Sequence, residues 1–143
     1  MKTTQISVFL ENKSGRLADV ARVLGDNKVN MRALCVADTA DFGVLRMVVD
    51  QPDHAFKVLK DNGFAASKTD VLAAEVPDTP GGLADILAVL AAKDINLEYM
   101  YCFVERAGQA AIDIFRVEQM DEAIEALRDA GITLVSADRL YGI

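Results

Sequence analysis

ENKSGRLADVARVLGDNKVNMRAL (residues 11–34) and PDTPGGLADILAVLAAKDINLEYM (residues 77–100) are two copies of one pattern. At a constant spacing of 66 residues they share Gly15/Gly81, Leu17/Leu83, Ala18/Ala84, Asp19/Asp85, Val23/Val89, Leu24/Leu90 and Asn30/Asn96. Downstream the spacing becomes 68, where DHAFKVLKDNGF (53–64) matches DEAIEALRDAGI (121–132). The match runs through nearly the whole chain, so the sequence is a duplication of one module. Two copies are too few for a stacked array.

Working outward from the first copy, Ile6, Val8 and Leu10 alternate with polar residues, the period of a half-buried strand. Leu17, Val20, Ala21 and Leu24 then fall on one face of a helix. Residues 30–39 and 42–50 read as a hairpin broken at Ala40-Asp41, with Gly43 easing the turn. Pro52 suits the first turn of a second helix, whose inner face is Ala55, Val58 and Leu59. Gly63 suits the position after that helix, and residues 65–69 form a fourth strand. The second copy repeats the series. Leu72, Ala74 and Val76 form a strand, and Leu83, Ile86, Leu87 and Leu90 a helix face. Residues 96–106 and 109–118 form a hairpin with two extra loop residues, 121–130 a helix ended by Gly131, and 133–140 the closing strand.

This order predicts an α+β protein of two ferredoxin-like βαββαβ modules, residues 1–70 and 71–143, with antiparallel sheets bearing helices on one face. Halves of this size bury little core alone, so the modules are expected to pack side by side. The stretch 67–76 serves both the end of one copy and the start of the next.

The 143 residues carry a net charge of −7, and the sequence pI is about 4.6. No basic run occurs, and phosphate backbones repel such a surface, so no nucleic-acid partner is expected. No apolar run reaches the ~18 residues of a membrane span, and the N-terminus enters a strand pattern at once, so no membrane partner is expected and the compartment reads as cytoplasmic. Cys35 and Cys102 occupy non-equivalent positions in apolar runs and read as two buried, reduced thiols. Tyr99, Tyr101 and Phe103 share a strand face and read as packing or interface residues.

The turn between first strand and first helix is the best-matched segment: Asn12-Lys13-Ser14-Gly15-Arg16-Leu17 against Asp78-Thr79-Pro80-Gly81-Gly82-Leu83. First-turn N–H groups have no intrahelical partner and carry partial positive charge, so they can receive a carboxylate. Glycine removes the Cβ that blocks close approach. The alternative is structural, with Asn12 and Asp78 capping their helices. Asn30 and Asn96 open the second strand of each copy, although asparagine is a poor strand residue. Each amide can donate to a carboxylate and accept from an ammonium; the alternative is a turn asparagine bonding its own backbone.

The pattern strand–[Asn/Asp]-x-x-Gly-x-Leu–helix–[Val/Ile]-Asn-[Met/Leu]–strand resembles the ACT domain, a βαββαβ regulatory module that binds amino acids. The resemblance covers essentially the whole chain as two tandem modules, and the second copy is the closer match. It implies a free amino acid as effector, bound where modules pair, between the first loop and the neighbouring module. It also implies contacts from Asn12 and Asp78 and from Asn30 and Asn96, as in serine-responsive members. Ser14, Gly15 and Leu17, and Pro80, Gly81, Gly82 and Leu83, complete the two loops. Serine-responsive members carry a histidine two residues before the loop's polar residue, where this chain has Leu10 and Val76. A carboxylate at Asp78 favours an ammonium and opposes a second carboxylate.

Catalysis is not expected. His54 is the only histidine and reads as an exposed helix residue, and there is no nucleophile set, metal cluster or Walker loop. The helix carboxylates alternate with Lys and Arg as solvated faces do. No cofactor is implied. The expected function is a non-catalytic amino-acid sensor that forms a homodimer. The alternative is a regulatory subunit of a biosynthetic enzyme, similar to acetolactate synthase small subunits in its first copy.

Overall fold

The computed structural model describes residues 1–38, 41–104 and 110–143. The elements run β1 (Thr3–Glu11), α1 (Arg16–Asp26), β2 (Met31–Asp38), β3 (Phe42–Val49), α2 (Pro52–Asp61), β4 (Ala65–Pro77), α3 (Gly82–Ala91), β5 (Leu97–Val104), β6 (Ala110–Val117), α4 (Met120–Asp129), β7 (Leu134–Val135) and α5 (Ala137–Gly142). They divide into two compact units. One comprises Thr4–Thr69 with Leu140–Ile143, the other Met1–Thr3 with Asp70–Arg139. Each is a ferredoxin-like βαββαβ module, and the single strand β4 supplies residues to both, as the sequence expects of its stretch 67–76.

In the first unit β3 pairs antiparallel with both β1 and β2, with Val8 and Val36 each opposite Leu45. Residues paired across strands point to one face. Ile6, Val8, Leu10, Leu45 and Met47 thus form an apolar floor, and Val20 and Leu24 of α1 with Ala55 and Leu59 of α2 cover it. Fully burying one such aliphatic side chain is worth about 1.5–3 kcal/mol. Pro52 stands in the first turn of α2, where its missing N–H costs nothing. Gly63 follows the cap of α2 at φ 82°, and Gly131 follows that of α4 at φ 76°, both as expected.

The second unit repeats this plan. β6 pairs antiparallel with β4 and β5, and β7 pairs with β4 through Val135 opposite Ala73 and Leu134 opposite Ala74. Leu72, Ala74, Val76, Phe115 and Val117 meet Ile86 and Leu90 of α3 and Ala123 and Leu127 of α4.

Several expectations need correction. Residues 133–140 do not form a strand, because β7 stops after two residues. Ser136 Oγ then accepts the Arg139 N–H at 3.3 Å and starts α5. The sequence Ser-Ala-Asp-Arg is a helix start, a hydroxyl cap followed by good helix formers. Leu140 of α5 is fully buried, Tyr141 Oη accepts the Thr4 N–H (3.1 Å), and Arg32 Nε donates to the Tyr141 carbonyl (2.9 Å). Gly43 is not a turn residue. It lies inside β3, opposite Leu10 and Asp38, with an ordinary φ. Both cysteines are free, but Cys102 is exposed and Cys35 half-buried. The inner face assigned to α1 loses Leu17, which is 45% exposed, whereas Val20 and Leu24 enter the core. The tips of both hairpins, at residues 39–40 and 105–109, lie outside the described residues, as does the side chain of Phe103.

Candidate functional site

The two first loops are backbone copies of each other. Gly15 has φ 89° and ψ −14°, and Gly81 has φ 89° and ψ −13°, and each is the N-cap of its helix without a side-chain cap. The N-cap position considered for Asn12 and Asp78 is thus taken by glycine. A residue with a Cβ pays about 1–2 kcal/mol in the left-handed region, and that conformation fixes glycine at both positions. In each loop the first helical N–H turns back onto the loop, Arg16 to the Lys13 carbonyl (3.3 Å) and Gly82 to that of Thr79 (3.0 Å). Asp19 and Asp85 donate to the carbonyls of Gly15 and Gly81. Among the described residues, the N–H groups of Leu17, Ala18, Leu83 and Ala84 meet no acceptor. Two donors per loop therefore face outward at the positive end of a helix, with an exposed leucine (Leu17 or Leu83) beside them.

Gly82 has another reason to be glycine. A Cβ there would stand 2.3 Å from the carbonyl oxygen of Pro77, so the residue permits the start of α3 to touch the end of β4. The close neighbour at Gly82 is thus protein backbone, in place of the ligand the sequence reading provides for. Ser14 and Pro80 are exposed loop residues.

The charges around the two loops differ. Lys13 pairs with Glu11 (2.7 Å), and Arg16 with Asp19 (3.5 Å), in the first. A recess of about 390 Å³ lined by Glu11, Asn12, Lys13, Asp41 and Phe42 adjoins it, and the Asn12 N–H donates to the Asp41 carbonyl (3.1 Å). The second loop offers Asp78 and Asp85 and no cationic side chain. Near it, a groove of about 420 Å³ runs between α3 and residues 130–133, touching Gly82 alone of the predicted site residues.

Asn30 and Asn96 directly precede β2 and β5. The Asn30 N–H donates to Asp50 Oδ1 (2.9 Å) and its carbonyl accepts the Asp50 N–H (3.0 Å). The Asn96 carbonyl accepts the Glu118 N–H (3.5 Å). Both side-chain amides are exposed and, among the described residues, neither bonds its own backbone or any other group. The turn-asparagine alternative thus lacks its hydrogen bond. Two residues before each asparagine, Lys28 (φ 59°) and Asp94 (φ 56°) hold the left-handed conformation without being glycine. The sequence carries no sign of this, since lysine and aspartate there look like ordinary surface residues.

Within one module the structure does not bring loop and asparagine together. The loop opens α1 and Asn30 follows its far end, and 11 residues at 1.5 Å each separate the two by about 16 Å. The same holds for Asn96 and α3, at 10 residues. A free amino acid cannot bridge that distance.

No helix of the described residues is long and apolar enough to cross a membrane, and no group of metal-ligating side chains occurs among them. His54 is exposed, its Nε2 lying 3.2 Å from the Asn27 carbonyl oxygen. Tyr101 is buried, and Tyr99, on the same strand face, is partly buried.

Residues 1–142 match the family model described as an ACT domain pair. Protein BT0572 from Bacteroides thetaiotaomicron is 45% identical, with a TM-score of 0.95 over 100% of this chain and 98% of that one. The ligand-free regulatory subunit of aspartate kinase from Thermus thermophilus has a TM-score of 0.65 at 17% identity, over 89% of this chain and 91% of that one. The Thermus flavus regulatory subunit has a TM-score of 0.62 at 16% identity, over 92% and 94%. A search of curated proteins finds no match.

Proposed function

Because the chain belongs to the ACT domain pair family, we propose that it is a non-catalytic regulatory protein that senses a free amino acid. The observation carrying this reading is the duplicated glycine-capped loop, which aims two unfilled N–H donors outward in each module. The ligand's carboxylate lies on the donors of Leu17 and Ala18, where Lys13 and Arg16 add positive charge. The second loop, with Asp78 and Asp85, favours the ammonium end.

The distance along α1 adds a condition. A site using both loop and asparagine draws them from different modules, and the arrangement proposed here sets the loop of one copy of the chain against Asn30 or Asn96 of another. Strand β2 is the outer strand of its sheet, and its Leu34 and Val36 are each 48% exposed. An outer strand with exposed apolar side chains favours pairing with a second copy, which supports a homodimer. Effector binding at such a shared site is linked to dimerisation, so each strengthens the other.

A thermal-shift screen of the twenty amino acids at millimolar concentration tests the reading. At least one raises the melting temperature, and sedimentation shows more dimer in its presence. Asn30→Ala and Asn96→Ala weaken the response. No shift with any amino acid overturns the sensor, while full affinity in both variants removes the asparagines from the site. The likeness to regulatory subunits of a kinase supports a second arrangement, permanent attachment to a biosynthetic enzyme. A pull-down from native extract at fixed stoichiometry identifies it.

A further inference from the structure

The modules differ where the first helix faces the turn before the last strand. In the first module Arg16 lays its guanidinium over the Phe64 ring, 5.5 Å from the centroid, and Nη1 reaches Asp19 Oδ2 at 3.5 Å. The Arg16 Nε is buried and meets no acceptor among the described residues. At the repeat-equivalent positions the second module has Gly82, Ile132 and Asp85. With no side chain on Gly82, a groove of about 420 Å³ stands open, walled by Ile86, Val89, Ala110 and Ile132. That volume lies within the ~300–1,000 Å³ range of small-molecule sites. Two carboxylates reach the groove. Glu75 is held by Arg139 Nη1, whereas Asp85 has no cationic partner among the described residues.

The first module thus displays an occupant for this place in the fold, a planar cation on an apolar surface, tied to the carboxylate of the first helical turn. We propose that the second-module groove binds a small guanidinium compound with a short aliphatic stem. Asp85 is its anionic anchor, and Ile86, Val89 and Ile132 hold the stem. A guanidinium suits the groove better than an ammonium because it is planar, more weakly hydrated and able to offer two parallel N–H groups to one carboxylate. The proposal shares Asp85 with the second-loop reading above, but it uses neither Asn96 nor a second copy of the chain, so Asn96→Ala separates the failure of one from the failure of the other.

The full-length chain, titrated with n-butylguanidinium, provides the test, by calorimetry and by mapping amide chemical shifts. Saturable binding is expected, with shifts at Asp85, Val89, Ile132 and Thr133 and none at the matching Asp19, Val23, Phe64 and Ala65. Asp85→Asn, an exposed and near-isosteric change that leaves the circular dichroism unaltered, weakens binding about tenfold or more. Asp19→Asn and Asn96→Ala leave it unchanged, and neutral n-butylurea does not compete. Absence of saturation, equal affinity in Asp85→Asn, or shifts that fall outside the groove overturn the assignment.

Discussion

Replacing Gly82 by alanine puts one methyl group where the structure has none to spare. The new Cβ falls 2.3 Å from the Pro77 carbonyl oxygen, about 1 Å inside ordinary van der Waals contact, and its neighbour is backbone. Neither partner can rotate away, so α3 must lift from the end of β4. Overpacking of this kind costs about 3 kcal/mol, offset by up to about 1 kcal/mol from alanine's better helix propensity, for a net loss near 2 kcal/mol. Gly81→Ala isolates the other mechanism. Its Cβ meets nothing within 4 Å, but φ is 89°. The left-handed penalty, less the entropy saved in the unfolded chain, leaves a loss of about 1 kcal/mol. Gly25→Ala, with open space and an ordinary helical φ, should gain about 0.5–1 kcal/mol. Urea unfolding followed by circular dichroism orders the three, with an unchanged m-value confirming that the native state is what moved. A Gly82→Ala chain as stable as the wild type would refute the reasoning, as would a Gly25→Ala chain less stable than Gly81→Ala.

Asp113, 3% exposed, stands where the first module has Leu45, and burial pushes its carboxyl above the usual range while the Cys102 thiol donates to it. The folded state thus holds this proton more tightly than the unfolded one. Stability falls as pH rises from the ordinary value near 3.8 through the raised one, and the cost is complete above it. Asp113→Leu should accordingly stabilise by about 1–3 kcal/mol at pH 7 and by less at pH 4, measured as urea midpoints; an equal gain at both pH values contradicts the assignment. Partial desolvation raises the half-buried Cys35 thiol, and desolvation together with the neighbouring Asp113 carboxylate raises the exposed Cys102 thiol, so alkylation by iodoacetamide should be slow at pH 7.5 and accelerate above pH 9; fast labelling at pH 7.5 counts against this. Lys28→Gly relieves a left-handed side chain at φ 59° and should add about 0.5–1 kcal/mol to the unfolding free energy, whereas a loss would mean that the lysine makes a compensating contact. Tyr141→Phe leaves the Thr4 N–H unpaired and should cost about 1 kcal/mol in the same assay; no change would mean that water replaces the phenol.

The parts legible in the sequence are those governed by short-range periodicity. The core positions Ile6, Val8, Leu10, Val20 and Leu24 repeat at strand and helix spacing, and their counterparts Leu72, Ala74, Val76, Ile86 and Leu90 repeat it again. The duplication marks Gly15 and Gly81, the two loop positions held at φ 89°. What stayed hidden depends on contacts between distant residues. Pro77 lies five positions from Gly82, yet nothing in the chain announces that its carbonyl occupies the missing Cβ position. The alternation of Leu134 and Val135 looks like the start of a long strand, because the cap made by Ser136 competes with strand pairing only once the fold exists. The separation of Asn30 from the loop is written in the length of α1, whereas which neighbouring module faces the loop is set by contacts between distant residues.

Residues Leu140–Ile143 belong to the unit that otherwise spans Thr4–Thr69, and Met1–Thr3 belong to the other. During synthesis, the module that emerges first therefore waits for Leu140 and Tyr141, some seventy positions beyond its own last strand. The second module, in turn, reaches back to residues made before it. Neither repeat therefore holds all of its packing within its own stretch of sequence. Duplication made the copies alike, and this exchange of ends makes each depend on residues that the other's stretch of sequence supplies.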